Sequence, residues 1–465
     1  MDSLHGYIEQ KRDSWLQELS DFLRIRSIST DPEYAGEVRR GAEFVAEALG
    51  RAGIEHVEMI QTSGHPLVYG EHVHSADAPT VLCYGHYDVQ PPDPLNEWKS
   101  EPFEPTVRDN NIYARGAADD KGQVMIQLKA VEALRAKTGS IPLNLKFIFE
   151  GEEETGGHAI EEYVPKNAEK LKADVALVCD TALFAPDLPT LCIGLRGLVY
   201  TEIEVEGASH DLHSGLYGGV APNALNALSW ILAGLKSPDG KIRVPGIYDD
   251  VQAPARSEKS SWRRLPFDAD RMRADEIGSD ALTGEKRDPL ERIWARPALD
   301  VHGIVGGYTQ PGAKTVIPAR AAAKVSIRLV PNQSPKTVFS ALEQRVQELA
   351  PPGVKVRVKL IHQAPPLLIN PDNPYIGKAA KVFAQVFGKK TVFVRSGGSI
   401  PVVGVFAEHL KLPVVMMGFG LPDDNLHAPN EKFSLGNFFR GVETVAKFFE
   451  AVAKEKPARA SAPAA

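Results

Sequence analysis

The sequence predicts an α/β protein, a mostly parallel sheet flanked by helices and interrupted by an inserted α+β domain. Three observations lead there. Apolar runs such as Val81–Tyr84 and Ala173–Cys179 are too short for helices and suit strands buried on both faces. Amphipathic helical segments alternate with them, the pattern of βαβ units. Between these regions, Val199-Tyr200-Thr201-Glu202-Ile203-Glu204-Val205 alternates strictly between apolar and polar residues, as in a sheet with one wet face.

Taken in order, residues 5–26 carry apolar side chains at helical spacing (Ile8, Trp15, Leu19, Phe22, Leu23), and a second helix follows over Ala42–Leu49. Val81–Tyr84 is a strand, Lys121–Ala136 a helix, and Leu143–Phe149 and Ala173–Cys179 are strands. From Gly197 the character changes: the alternating strand is followed by a helix over Asn223–Leu235. Residues 238–300, rich in Pro, Arg, Asp and Ser, predict long loops with short helices. Ala322–Val330 alternates again, Pro335–Leu349 is helical and Val354–Leu360 is a strand. After Leu367 the buried-strand pattern returns in Thr391–Val394 and Pro413–Met417, and a last helix spans Leu435–Ala453. The predicted organisation is a main domain of residues 1–196 and 366–455, an insert of residues 197–365, and a disordered Ala/Pro/Lys-rich tail of residues 456–465.

A chain of 465 residues is too long for one ordinary core, which agrees with two domains. A formal net charge of -7 and no large basic face argue against a nucleic-acid partner. No apolar run is long enough to span a membrane, and Met1-Asp2-Ser3-Leu4-His5 lacks the layout of a signal peptide. Cys83, Cys179 and Cys192 sit in apolar strand-like runs without metal-type spacing and read as reduced core residues, so a cytoplasmic protein is expected.

Chemistry-bearing residues gather where strands end, which is where open α/β sheets bind ligands. His86-Tyr87-Asp88 closes the first buried strand, and an H-x-D pair lets the carboxylate orient a metal-ligating imidazole. Asp119-Asp120 precedes a helix; an N-cap explains one of the two aspartates better than both. Glu152-Glu153-Glu154 follows a buried strand, where mutual repulsion is costly unless a cation compensates it. Asp180 ends a third strand, and His427 lies in a loop beyond Met417. Two divalent cations would be balanced by the carboxylates of Asp119, Glu154 and Asp180 plus one bridging hydroxide, with His86 and His427 as neutral ligands and one glutamate left to move protons. Nitrogen and carboxylate ligands without thiolate suit zinc, with manganese or cobalt as alternatives.

This ordered set, His86-Tyr87-Asp88, Asp119-Asp120-Lys121-Gly122, Glu153-Glu154-x-Gly156, Asp180 and His427, resembles the di-metal peptidase family of cytosolic nonspecific dipeptidase, carnosinase, aminoacylase and succinyl-diaminopimelate desuccinylase. The resemblance spans nearly the whole chain. It implies that His86 and Asp180 bind one ion, that Glu154 and His427 bind the other, and that Asp119 bridges them. It makes Glu153 the general base and Asp88 the residue that orients His86, and it implies a cis peptide between Asp119 and Asp120. Three consecutive glutamates leave the register open by one position; Glu-Glu-x-Gly sets it.

The insert resembles the dipeptidase branch in Asp211-Leu212-His213-Ser214-Gly215, Lys314-Thr315-Val316-Ile317-Pro318 and Ser326-Ile327-Arg328-Leu329-Val330-Pro331, and the main domain does so in Gly397-Gly398-Ser399-Ile400-Pro401. The resemblance implies that His213 reaches the active site of a neighbouring subunit, and that Thr315, Arg328 and Ser399 hold the substrate carboxylate or carbonyl. It implies a lid and dimerisation role for the insert and a homodimer. The plainer readings are that Asp211 is a turn residue, that Arg328 pairs with a lid carboxylate, and that Gly397-Gly398 is a tight turn. The expected function is hydrolysis of the peptide bond of dipeptides or very short peptides by a metal-bridged hydroxide, with Glu153 as base and His213 among the oxyanion donors. An N-acyl amino-acid amidohydrolase on the same scaffold is the rival reading. A catalytically silent binding protein is the third, disfavoured because every expected position is filled.

Overall fold

The computed structural model describes residues 3–398 and 400–455; the tail from Lys456 and the candidate Ser399 lie outside them. The chain forms two compact units. One comprises Met1–Ile193, Ile369–Val394 and Pro401–Ala465, the other Gly194–Leu368 and Arg395–Ile400.

The first unit is built on a mixed sheet. Its strands β1 (His56–Ile60), β2 (Leu67–His72), β3 (Thr80–His86), β4 (Asn144–Glu150), β5 (Val175–Val178), β6 (Thr190–Leu195) and β7 (Val414–Met417) lie in the order β1-β2-β4-β3-β5-β7-β6. The central neighbours β4-β3-β5-β7 are parallel. The flanking pairs β1–β2, β2–β4 and β7–β6 are antiparallel. The sequence pattern exposed the parallel centre, because strands buried on both faces read as continuous apolar runs. It did not expose β1, β2 or β6.

Register lines up the strand ends. His86 lies opposite Glu150, and Tyr84 lies opposite both Ile148 and Val178. The loops that leave β3, β4 and β5 therefore start at one edge of the sheet.

The helices of this unit include α1 (Leu4–Leu23), α2 (Ala35–Ala52), α3 (Lys121–Thr138), α4 (His158–Lys166), α5 (Pro374–Phe387) and α6 (Leu435–Ala453). α1 starts where Ser3 caps Gly6 N–H, and α2 ends at Gly53, whose φ of +100° suits glycine. α3 is buried along most of its length and packs on α6. It begins directly after Asp119-Asp120, and Gly122 is what permits the tight entry: a Cβ there would lie 2.1 Å from the carbonyl oxygen of Ala117. A small ladder of Thr106–Arg108, Asn111–Tyr113 and Lys432–Ser434 pairs Lys432 with Tyr113. It holds the chain after His427 against the chain that leads to Asp119.

The second unit is a four-stranded antiparallel sheet in the order Ala298–Gly306, Arg320–Leu329, Gly197–Glu206, Lys355–Ala364. Helices Ala224–Leu235 and Pro335–Leu349 pack on it through Leu228, Ile231 and Leu342, against Val199, Ile203, Val325 and Ile327. The alternating strand Val199–Val205 is interior, with partners on both sides. One wet face produces the same alternation in an interior strand as in an edge strand. The true edges are Lys355–Ala364 and Ala298–Gly306, the latter at the end of a stretch expected to be loops and short helices.

Among the described residues no helix is long and apolar enough to cross a membrane. Cys83, Cys179 and Cys192 are buried and none forms a disulfide.

Candidate metal centre

His86 is the last residue of β3 and is fully buried. Asp120 Oδ2 accepts its backbone N–H at 3.2 Å. The ring is held on its other side by Asp88, whose carbonyl lies 3.2 Å and whose Oδ1 lies 3.3 Å from Nδ1. That leaves Nε2 directed at two carboxylates, 3.1 Å from Asp119 Oδ1 and 4.0 Å from Asp180 Oδ1. Asp180 arrives from just beyond the end of β5.

The other oxygen of Asp119 serves a second group. His427 Nε2 lies 2.9 Å from Asp119 Oδ2 and 3.3 Å from Glu154 Oε2. Glu154 sits in a short turn, Glu153–Thr155, after β4. His427 adopts a φ of +59°, a left-handed conformation uncommon outside glycine, as do Asn425 and Asn430 on either side of it. The peptide between Asp119 and Asp120 is cis.

Two groups that could each hold an ion result, His86-Asp119-Asp180 and Asp119-Glu154-His427, each with its donor atoms within 4.8 Å of one another. They share Asp119 and use a different oxygen of it on each side. Glu153 belongs to neither group. Asp120, the second of the paired aspartates, lies beneath the backbone of His86 instead of among the ligands.

The electrostatics ask for cations. Burial pushes the Asp180 carboxyl well above its usual range, and the nearby Asp119, Glu153 and Glu154 push it further. Burial, with Glu154, Asp119 and Asp88 close by, raises Glu153 to about 8. His427 is raised to about 10 by its hydrogen bonds to Asp119 and Glu154. Glu154 Oε1 is buried without a hydrogen-bond partner, leaving lone pairs that a bound cation would accept. Charge, donor set and orphaned oxygen all fit a pair of divalent ions held by nitrogen and oxygen.

This geometry agrees with what the sequence matches. The family model of peptidase family M20/M25/M40 covers residues 82–451. The chain belongs to that family. It is 33% identical to the Cys-Gly metallodipeptidase dug1 of Schizosaccharomyces pombe, over 98% of this chain and 99% of that protein. It is 32% identical to the Beta-Ala-His dipeptidase of Homo sapiens, over 97% of this chain and 92% of that one. A solved structure of the di-peptidase Dug1p from Saccharomyces cerevisiae superposes with a TM-score of 0.84 at 30% identity, covering 97% of this chain and 98% of that chain. The mixed sheet flanked by helices is thus the fold of M20 dipeptidases, and the chain is an enzyme of the hydrolase class.

The expected substrate residues belong to the second unit. His213 is exposed on a two-residue strand paired with Val316, beside Thr315, which is also exposed. Arg328 is half-buried in the four-stranded sheet. Asp211 Oδ1 accepts Ala319 N–H at 2.9 Å, a contact that joins two distant segments of the chain and not a turn. His72 is half-buried, with Nε2 3.3 Å from the carbonyl of Ile141.

Sequence reasoning missed three neighbours of the expected residues. Gln90 Nε2 donates to Glu154 Oε2 at 2.9 Å, and nothing in a lone Gln signals that. Arg196 lies close enough to Arg328 for the two charges to repel, and burial with that repulsion lowers it to about 10. Its Nε donates to the carbonyl of Gly397. Glu431, in the loop after His427, accepts the backbone N–H of Asp119 at 3.2 Å.

Proposed function

We propose that this chain hydrolyses the peptide bond of dipeptides or very short peptides with two divalent ions, zinc being the favoured metal. The observation that carries the reading is the shared Asp119, with one oxygen toward His86 and Asp180 and the other toward His427 and Glu154, while Glu153 stands outside both groups.

His86, Asp119 and Asp180 would hold one ion and Asp119, Glu154 and His427 the other. The ions, when bound, supply Lewis acidity that polarises the scissile carbonyl and acidifies water. Glu153 would take the proton from the attacking water and deliver it to the leaving amine. Its raised affinity for protons suits a group that must carry one between the two steps. Asp88 fixes the ring of His86. Arg328 with Thr315 would seat the substrate carboxylate, a role also assigned to Ser399, and would limit the length of peptide accepted. Arg196 beside Arg328 adds positive charge there.

The relatives named as Cys-Gly and Beta-Ala-His dipeptidases support short peptides over N-acyl amino acids. The deciding experiment is a panel of dipeptides, tripeptides and N-acyl amino acids offered to the metal-loaded enzyme. Dipeptides should turn over with the highest kcat/KM. Preference for N-acyl amino acids would transfer the reading to the amidohydrolase rival.

A homodimer through the second unit accompanies this reading. Its edge strand Ala298–Gly306 leaves Val301, Ile304 and Val305 exposed, and an open apolar edge is an aggregation hazard unless it is covered. A cytoplasmic setting is supported by three buried cysteines without a disulfide.

A further inference from the structure

Glu431 and Arg115 are both buried, and they form an ion pair at 2.7 Å. The pair does more than bridge two side chains. Glu431 Oε2 accepts Arg115 Nη1–H and, at 2.9 Å, Gly116 N–H. Glu431 Oε1 accepts Ala118 N–H at 3.0 Å and Asp119 N–H at 3.2 Å. One carboxylate thus gathers the backbone of the loop that ends in Asp119. The remaining reach of Arg115 goes elsewhere: its Nη2 donates to the carbonyls of Pro91, at 3.2 Å, and Ala428, at 3.4 Å. Ala428 follows His427, and Pro91 follows Gln90, which holds Glu154.

We infer that Glu431, with Arg115, is a positioning residue that sets Asp119 against His427 so that both ligand groups form before any ion arrives. The inference rests on the two-ion reading above. The reasoning is geometric. Asp119 is common to both groups, so an error in its placement spoils both. Asp119 follows a loop with no regular secondary structure, and Glu431 supplies the acceptors that such a backbone needs when it is buried. Ligands held in advance bind more tightly because less ordering remains to be done on binding. A neutral Gln at 431 keeps the size but turns an NH2 group toward donors that previously met an oxygen.

The plain alternative is a buried ion pair that only stabilises the fold. Zinc titration of the metal-free full chain separates the two. Glu431→Gln should weaken both ions by about 10–100-fold, the range for residues that orient metal ligands, while near-UV circular dichroism stays that of the parent. Lower thermal stability with unchanged zinc affinity, or weakening of one ion alone, would overturn the inference. If the variant does not fold, amide hydrogen exchange on the metal-free parent decides. Gly116, Ala118 and Asp119 should exchange slowly without metal, and exchange at the rate of exposed loops would overturn the inference. A parent chain that takes up no zinc would instead sink the two-ion reading, and this inference with it.

Discussion

The side chain of Asp88 accepts the backbone N–H of Glu154 at 3.1 Å, so the residue expected to orient His86 also fixes a candidate ligand of the opposite group. Ser29 holds the same oxygen with a 2.6 Å hydrogen bond. Asp88 is therefore shared between the halves of the site from behind, as Asp119 is from in front.

Replacing Asp88 by Asn should weaken zinc at both positions, by about 10–100-fold, because an orienting partner of two ligands is lost. Calorimetric titration of the metal-free protein measures this. Loss confined to the His86 side would mean that the contact to Glu154 is incidental.

Glu153→Gln should retain two ions and lose about 10²–10⁴ in kcat, the usual contribution of a positioned base. The amide keeps the shape and cannot accept the proton. Because Glu153 is in neither ligand group, metal content should be unaffected. Loss of an ion in this variant would shift the assignment of base and ligand by one glutamate.

Metal uptake should release protons at neutral pH. In the metal-free chain His427 is raised to about 10, chiefly by Asp119 and Glu154, so its ring is cationic at pH 7 and cannot ligate. Zinc affinity should therefore rise with pH until His427 is neutral. The sign for stability is opposite. A histidine raised above its unfolded value stabilises the metal-free fold fully below about pH 6.5, and that stabilisation is lost as pH rises through about 10. Titrations in buffers of different ionisation enthalpy count the protons. An enthalpy independent of buffer would refute the linkage.

Much of this was legible in the sequence, for a physical reason. A parallel strand buried on both faces has few polar residues, so a His or carboxylate at its end stands out, as His86, Glu154 and Asp180 do. Support from behind is less legible. Glu431 and Gln90 act on groups far away in the chain, Glu431 on backbone N–H groups and Gln90 on the Glu154 carboxylate, and such contacts leave no pattern in composition. Alternation in Val199–Val205 identified a one-sided sheet correctly but could not say which strand was its edge. The strand Ala298–Gly306, exposed along most of its length, carried neither periodicity: its start fell in the stretch read as loops and short helices, and the rest was assigned to no element.

The exposed His213 offers the last test. Its Nδ1 accepts Gly215 N–H at 2.9 Å, capping its own turn. An accepting Nδ1 requires the proton on Nε2, so the ring presents an N–H donor, the group needed opposite a developing oxyanion. Whether that donor serves its own chain or a partner's can be read by mixing two inactive variants, His213→Ala and Glu153→Gln, and letting subunits exchange. A two-fold dimer with His213 acting in trans gives each mixed pair one site with both defects and one with none. Random exchange makes half of the dimers mixed, so about a quarter of the parent activity should return in such a reciprocal assembly. If His213 acts within its own chain, every site keeps a defect and nothing returns. Heterodimers demonstrated by mass, without recovered activity, would refute the shared site, and a monomer by sedimentation would refute the assembly.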